Sequence, residues 1–376
     1  MQPITLTIEG KWFDSFLYRE RLYLFGLDGT VTQYNWKQML SLLPLSSNER
    51  VVVSCTFFDH SYLYDEKLRL LLSDPDIHKT LTSKMERAAG GSLEIPFELL
   101  QRTFVRRDDA PFPFPHTAFE MYKRTAYVSS SEGVYEIDAR EHLKRPWSSK
   151  SRRIWDCPVV FLSASWNALA CSCASEGLWQ IDVRGGDAVQ LSTSPANVHE
   201  WAYQSIYATS YERGGFLADF DVEKDQRGFN KVIDVESIFG ARYLSWGARD
   251  KLCAYTDRTL HFVEYAPFRN RARFTDLGIL RIDDWKGNLV MGATALFGTV
   301  LEFSNALVVV QSDGDVLTLP FEPVNWRVYP RSKHYSNHLH VTADNALHIV
   351  AFNHDVLRRQ VGLSPGLGVK PSAVAA

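Results

Sequence analysis

The sequence predicts an all-β protein built from repeated units, and three observations support this prediction. A pattern of two short apolar strands around a tight turn returns about every forty residues. Aromatic residues make up 13% of the chain, and their large rings suit the half-buried surface of a pleated sheet. No helix-period stretch separates the repeated units beyond residue 115, which argues against a parallel sheet of alternating strands and helices.

Each unit contains a turn whose residues tolerate positive φ angles and therefore favour a β-hairpin. In chain order these turns are Asp28-Gly29, Glu132-Gly133, Glu176-Gly177, Gly214-Gly215, Asp257-Arg258, Asp313-Gly314 and Asp344-Asn345. The flanking strands carry apolar residues two apart, as at 168–171 before one turn and 178–181 after it. We therefore expect seven hairpins.

A further strand precedes most of the hairpins and often carries an aromatic residue, such as Trp166, Trp201 or Trp246. Such a strand, a hairpin and a variable outer strand together make the plan of a four-stranded blade. Successive turns from Gly133 to Gly314 lie 44, 38, 43 and 56 residues apart, close to the spacing of about 40–50 residues typical of propeller blades. The pattern predicts a β-propeller of about seven four-stranded antiparallel blades, with six or eight blades as alternatives.

The two ends of the chain are expected to close this propeller. The last hairpin lacks a fourth strand, whereas residues 4–8 alternate like a strand without a partner. Because open sheet edges must be covered, we expect residues 3–9 to complete the blade at 338–352. Residues 1–360 would then form a single propeller domain, and residues 361–376 a flexible tail.

The 104 residues between Gly29 and Gly133 exceed two blade lengths and predict a partly helical insertion at 60–115. A strand at 51–58 is expected to precede it. Two short helices are expected around Pro75, because a proline interrupts a continuous helix. A further helix is expected within 93–104.

The insertion ends in a proline-punctuated segment at 110–115. Two compatible interpretations follow: the insertion caps the propeller, or it recognises a partner, since loops on a rigid scaffold often carry function. The candidate partner-binding residues are Leu99, Phe104, Phe112 and Phe114.

The pattern of strand, aromatic residue and hairpin resembles the β-propeller superfamily and, more loosely, its WD40-like members. The resemblance covers most of the chain. The Gly-His and Trp-Asp dipeptides that mark WD40 repeats do not recur, and Asp156 follows Trp155 once, outside the hairpin register. The resemblance therefore implies a propeller without implying the function of one particular family.

Composition restricts the classes of partner. The net charge of −3 predicts neither strong attraction to a polyanion nor strong repulsion. The five cysteines include no CxxC pair, so buried reduced thiols are expected. The N-terminal sequence lacks a basic and apolar leader, and the longest apolar stretch, 289–301, is shorter than the ~20 residues that cross a bilayer. The sequence predicts a cytoplasmic protein with no membrane partner and no cofactor.

Two basic linkers contain the candidate nucleic-acid-binding residues. Cations interleaved with aromatic rings can hold phosphates and stack bases. These residues are Lys144, Arg145, Lys150, Arg152, Arg153, Arg269, Arg271 and Arg273. The other interpretation is that both segments are solvated loops between blades.

Sites for metal ions and catalysis find little support in the sequence. His338 and His340 would share one face of a strand, as a metal pair requires, but no third ligand stands at a suitable spacing. We therefore expect solvent-facing histidines and no metal site. No P-loop, GxSxG, HExxH or dinucleotide fingerprint is present, so an enzyme is the less favoured interpretation.

These observations predict a non-catalytic protein–protein interaction platform, a subunit of a larger cytoplasmic complex with unidentified protein partners. One alternative is the binding of nucleic acid or another anion through the basic linkers. A second alternative is a propeller hydrolase with a site in the central channel, because propeller enzymes assemble such sites from scattered residues.

Overall fold

The fold was analysed in a computed structural model of the 376-residue chain. The structure describes residues 2–58, 74–139, 146–147, 151–211, 214–223, 226–240, 244–268, 271–282, 287–311 and 314–353. The expected tail at 361–376 lies outside the described residues.

The chain divides into two compact units. Among the described residues, unit 1 contains those up to Arg107 and those from Thr294, and unit 2 contains Asp108–Ala293. The described strands of the whole chain form seven sheets, of which six have four strands and one, in unit 1, has five. The protein is a seven-bladed β-propeller, which confirms the predicted fold class.

Three blades lie wholly or mainly in unit 1. Blade 1 contains β2 (Trp12–Tyr18), β3 (Arg21–Gly26), β4 (Val31–Asn35) and β6 (Phe104–Asp108); blade 6 contains β23 (Leu289–Ala295), β24 (Gly298–Phe303), β25 (Ala306–Gln311) and β26 (Val316–Leu319); blade 7 contains β27 (Asn325–Val328), β28 (His338–Ala343), β29 (Ala346–Ala351), β1 (Ile4–Glu9) and β5 (Ser92–Glu94).

Unit 2 contains the other four blades. Blade 2 contains β7 (Ala118–Tyr122), β8 (Thr125–Ser130), β9 (Gly133–Asp138) and β10 (Arg152–Trp155); blade 3 contains β11 (Phe161–Ser165), β12 (Ala168–Ser172), β13 (Leu178–Asp182) and β14 (Ala188–Ser192); blade 4 contains β15 (Val198–Ala202), β16 (Ser205–Ser210), β17 (Gly214–Glu223) and β18 (Gln226–Asp234); blade 5 contains β19 (Leu244–Ala248), β20 (Lys251–Thr256), β21 (Thr259–Phe268) and β22 (Arg271–Arg281).

Blade 7 is completed from the N-terminal end of the chain. Strand β1 pairs antiparallel with β29, with Ile4 opposite Ala351 and Glu9 opposite Ala346. On its other side β1 pairs parallel with β5, so that β1 is not an edge strand. This arrangement covers a row of backbone groups that would otherwise be open to pairing with another chain.

Most of the helical structure lies between β4 and β6. It comprises α1 (Trp36–Leu42), α2 (Ser47–Val53), a π-helical turn (Ser54–Phe58), α3 (Pro75–Ala88) and α4 (Phe97–Thr103); α5 (Val235–Phe239) lies between β18 and β19. The helical segment thus starts well before residue 60, the expected start of the insertion. Residues 104–108, inside the expected insertion, form a strand of blade 1. Residues 59–73, which contain the first of the two helices expected around Pro75, lie outside the described residues.

The strand predicted at 51–58 is wrong, because these residues are helical. The Ser46 side chain accepts from the Glu49 backbone N–H, and the Glu49 carboxylate accepts from the Ser46 N–H. This capping box satisfies backbone donors at the first turn of α2 and starts a helix where the valine run alone suggested a strand. The side chains of Val52 and Val53, at the end of this helix, are buried.

Two glycines show why the Glu-Gly turn recurs. A Cβ atom on Gly133 would lie 2.1 Å from the Trp155 carbonyl oxygen, and one on Gly177 would lie 2.1 Å from that of Ser192. Both glycines have positive φ angles and lie where the third strand of a blade meets the fourth. The repeat therefore marks a close approach of backbones that leaves no room for a side chain.

In blade 6 the predicted hairpin is shifted by one strand. Gly314 lies between β25 and β26, the third and fourth strands, whereas in the other blades the turn joins the second and third. The equivalent turn in blade 6 is at Ser304-Asn305. Asn305 is 47 residues after Arg258, which removes the irregular interval of 56.

Apolar side chains and buried hydroxyl groups join neighbouring blades in unit 2. One cluster packs Leu178 and Leu191 of blade 3 against Trp201 and Phe216 of blade 4. Beside it, the His199 ring bonds to Ser163 Oγ at 2.8 Å and to Ser172 Oγ at 2.7 Å. These contacts fix the positions of the inner strands of both blades.

The glycine argument gives a stability prediction. Gly177→Ala should lower the free energy of unfolding by about 3 kcal/mol, because the new Cβ meets a backbone carbonyl and φ is +82°. Gly186→Ala is the matched control: φ is +75° but nothing lies within 4 Å, so only the left-handed strain of about 1 kcal/mol applies. Chemical denaturation of both variants measures the difference, and equal losses would contradict the packing argument.

Candidate functional site

The turns that join the first and second strands of blades 2–5 carry large side chains on strained backbone. Positive φ angles occur at Lys123 (50°), Arg124 (67°), Trp166 (51°), Asn167 (60°), Tyr203 (54°) and Arg249 (55°). These six residues define what we call the hairpin surface. Left-handed backbone costs a residue with a Cβ roughly 1–2 kcal/mol, and such strain clusters at functional sites.

Direct contacts connect three successive turns of the hairpin surface. The Tyr122 hydroxyl accepts from the Asn167 backbone N–H at 3.0 Å, and the Lys123 ammonium donates to the Asn167 side-chain oxygen. The Trp166 indole N–H donates to the Tyr203 carbonyl oxygen at 3.1 Å. The turns of blades 2, 3 and 4 therefore form one continuous surface.

Tyr203 lies close to the turn of blade 5. Partial burial raises the pKa of Tyr203, the Asp250 and Glu264 carboxylates raise it further, and the Arg249 guanidinium lowers it. The centroid of the Tyr203 ring also lies 6.4 Å from that of the Tyr265 ring of blade 5. The hairpin surface thus extends to blade 5, where a cation stands beside two carboxylates.

The exposed groups of the hairpin surface are cationic and aromatic. Trp166 is 47% exposed and Tyr203 is 49% exposed. Lys123, Arg124 and Arg249 are also exposed. Trp, Tyr and Arg are the residue types that most often dominate binding energy at protein interfaces.

Arg227 lies beneath this surface and is partly buried. Its Nε donates to the Gln204 carbonyl oxygen and its Nη1 donates to the Gln180 side-chain oxygen. The guanidinium carbon lies 3.3 Å from the centroid of the Phe220 ring and 4.9 Å from the Trp201 ring. Burial lowers the pKa of Arg227 to about 9, since the charged form loses solvation.

The four predicted partner-binding residues are divided between the two units. In unit 1, Leu99 is buried within α4, whereas Phe104 is 50% exposed and contacts Tyr34 edge-on. In unit 2, Phe112 is buried against His116 and Phe114 is partly exposed beside the same ring. Leu99 and Phe112 therefore belong to the core.

The basic linkers are only partly described. Lys144, Arg145, Lys150 and Arg269, and the side chain of Arg271, lie outside the described part. The Arg152 guanidinium forms an ion pair with Glu136 at 2.6 Å, and Arg153 interacts with the Tyr135 hydroxyl, which also bonds to Glu132. Arg273 is exposed on β22. The described part of the first linker thus has acidic neighbours that reduce its positive charge.

The expectation that His338 and His340 face solvent is wrong, because both rings are fully buried in unit 1. His338 Nε2 lies 3.1 Å from the Thr56 carbonyl oxygen, and His340 Nδ1 lies 2.9 Å from Ser15 Oγ. Both side chains join blade 7 to neighbouring parts of unit 1. Among the described residues, no group of three or more His, Cys, Asp or Glu side chains is placed to hold a metal ion.

The hairpin surface was not predicted from the sequence. The sequence pattern assigns Trp166 to the strand before the hairpin and does not single out Lys123, Arg124, Tyr203 or Arg249. The available signal was that two-residue turns, where Gly and Asn are usual, hold large side chains here.

Comparison with solved structures agrees with the propeller architecture. The β-propeller domain of Cps50 (Swd1) from Myceliophteria thermophila is similar with a TM-score of 0.54 and 11% sequence identity, over 93% of this chain and 100% of that chain. The WD40 β-propeller domain of Doa1 has a TM-score of 0.49 at 9% identity, over 93% and 95% of the two chains. At such identities the likeness shows the fold alone.

No family model matches the chain, and no curated protein matches its sequence. No helix in the described part is long and apolar enough to span a membrane.

The buried histidines of unit 1 predict a pH-dependent stability. Burial lowers the pKa of His338 to about 4 and that of His340 well below its usual range. Between pH 6.5 and 4 the unfolded chain binds protons that the folded chain does not, so stability falls as the pH falls. From pH 6.5 to 5 each histidine should lower the free energy of unfolding by about 2 kcal/mol, with no such effect above pH 7.

Urea unfolding at pH 7 and pH 5 measures this effect. His338→Leu should reduce the pH-dependent loss by about half, whereas His334→Gln, at an exposed position, should leave it unchanged. If the stability of the His338→Leu variant depends on pH as steeply as that of the unmodified chain, His338 is not the titrating group.

Proposed function

We propose that this propeller is a non-catalytic protein-interaction platform, a subunit of a larger cytoplasmic complex, and that it engages its partner through the hairpin surface. The observation that carries the proposal is the continuity of that surface. Trp166, Tyr203 and the neighbouring cations stand side by side on turns connected by hydrogen bonds.

The rigidity of the blades supports this assignment. The Trp166 turn follows Ser163 by three residues, and the Tyr203 turn follows His199 by four, while Ser163 and His199 are bonded to each other. Exposed aromatic residues on such a scaffold lose little conformational freedom on binding, which favours affinity. An exposed Trp and Tyr in this position are suited to act as interface anchors.

The insertion offers less support for partner binding. Leu99 and Phe112 are buried, so truncating them would disturb the core rather than a docking surface. Phe104 and Phe114 remain exposed candidates, one in each unit. We therefore place the principal contact on the hairpin surface.

Nucleic-acid binding through the basic linkers remains the second candidate from the sequence. Arg152 is neutralised by Glu136, which weakens the described part of that site. A polyanion would bind with strong salt dependence because it releases counterions. The experiment below separates the two candidates.

The test is affinity capture with variants in blades 3 and 4 and a matched control in blade 4. Tyr203→Ala and Trp166→Ala should each reduce recovery of a stoichiometric protein partner from host lysate by about tenfold or more, as loss of an interface anchor does. Tyr211→Ala removes an equally exposed tyrosine from the opposite end of β16, where it follows Ser210. That control should capture the partner normally.

Capture is repeated with nuclease, and thermal unfolding confirms that each variant is folded. Partner recovery that survives in Trp166→Ala and Tyr203→Ala would reject the hairpin surface. Recovery that disappears with nuclease and with Arg152→Glu and Arg153→Glu would favour nucleic-acid binding instead.

A further inference from the structure

The hairpin surface and the residue beneath it contain four cations that form no ion pair with any described residue. Lys123, Arg124, Arg227 and Arg249 have no carboxylate within 4 Å among the residues that the structure describes. Other arginines of the chain do have such partners: Arg107 pairs with Asp28, Arg152 with Glu136, Arg184 with Asp182 and Arg327 with Asp14.

Arg227 is the most informative of the four cations. Its hydrogen-bond acceptors are a backbone carbonyl and a side-chain amide, both neutral, and its Nη2 has no acceptor. A charge held away from water by two aromatic rings is costly unless an opposite charge compensates it. Within the described part of the chain, no carboxylate does so.

The position of Arg227 directs its charge, which no described carboxylate compensates, toward the hairpin surface. The Gln204 carbonyl that accepts from Arg227 belongs to the residue that follows Tyr203. Because the Phe220 and Trp201 rings cover part of the guanidinium, its field is less screened there than the field of a fully exposed cation. An anion above this turn would be attracted by Arg227 and by the exposed Lys123 and Arg124.

The distribution of carboxylates indicates what kind of anion fits. Asp250 and Glu264 lie near Tyr203 on the side of Arg249, and Asp138 lies opposite Thr125, next to the turn of blade 2. A nucleic-acid strand carries closely spaced phosphates along its length and would be repelled where it passes these groups. A peptide can place a few carboxylates over the cations and apolar or basic residues elsewhere.

We propose that the hairpin surface binds an acidic peptide segment of the partner protein, with its carboxylates over Lys123, Arg124 and Arg227 and its apolar side chains against Trp166 and Tyr203. This inference rests on the proposed function and specifies the chemistry of the partner. The two rings supply contact area, and the cations select the sequence that is bound.

The test uses the full-length chain as bait for a display library of random twelve-residue peptides. Enriched peptides should carry a net negative charge, and one of them, labelled with fluorescein, is then titrated by anisotropy. Lys123→Gln together with Arg124→Gln should raise its Kd by about threefold to tenfold and weaken the dependence on salt, since unpaired interface cations act through charge. Trp166→Ala should raise the Kd by tenfold or more.

The charge-matched control is Arg258→Gln together with Arg281→Gln, which removes two exposed cations elsewhere in unit 2. This control should leave the Kd unchanged. Arg227→Lys should retain most of the affinity and Arg227→Gln should lose it, provided that thermal unfolding shows both variants folded. An equal loss of affinity in the control variant would show that only the net charge of the protein matters, and this would overturn the inference.

Failure of this inference differs from failure of the proposed function. Enriched peptides that depend on Trp166 but carry no excess of acidic residues would overturn the acidic partner and leave the platform in place. The absence of enriched peptides would also overturn the inference, while the platform itself is judged by partner capture. Binding of a fluorescent single-stranded oligonucleotide that is lost in the Lys123 and Arg124 variant, without peptide binding, would replace the peptide with nucleic acid.

Discussion

A buried hydroxyl group bonded to a side chain of the next blade is the interaction on which the geometry of both units depends. In unit 2, His199 of blade 4 bonds to Ser163 and Ser172 of blade 3, and the Trp201 indole N–H donates to Ser163 Oγ at 2.8 Å. In unit 1, Ser15 of blade 1 bonds to His340 of blade 7. Apolar packing alone would allow the blades to slide, whereas these bonds have a direction and must be satisfied because they are buried.

The hairpin surface depends on the same bonds. Each exposed turn begins within a few residues of a bonded inner strand, so the separation of the Trp166 and Tyr203 rings is set inside the seam between blades 3 and 4. Left-handed backbone in the turns is tolerated because the paired strands on both sides hold it in place. A smaller turn residue would relax the backbone and remove the exposed ring. Positive φ angles also occur in the turns at Arg19-Glu20 and Asp257-Arg258, so the hydrogen bonds between successive turns are what distinguish the hairpin surface.

The architecture could be predicted from the sequence because a recurring glycine indicates where two backbones approach too closely for a side chain. At Gly133 and Gly177 the required close approach leaves no other choice of residue, so the repeat was visible without a structure. In blade 6 the Ser304-Asn305 turn contains no glycine. The neighbouring Asp313-Gly314 pair therefore shifted the predicted hairpin by one strand. At 51–58 a run of β-branched and aromatic residues favours a strand, but the capping box of Ser46 and Glu49 starts a helix instead. Local β-strand propensity is overridden where a single cap or turn satisfies the hydrogen bonds of several backbone groups.

The functional residues were harder to predict because charge and exposure depend on tertiary neighbours. In the sequence, Arg152 and Arg227 are equivalent basic residues in strands or linkers. In the structure, Arg152 is exposed and paired with Glu136, whereas Arg227 is covered by Phe220 and has only neutral acceptors. His338 and His340 show the same principle, since an alternating strand pattern does not say whether the polar face is turned to solvent or to another blade. A run of cations in sequence therefore indicates less about binding than one partly buried cation with no carboxylate partner among the described residues, because folding removes solvent from the latter and its field is less screened.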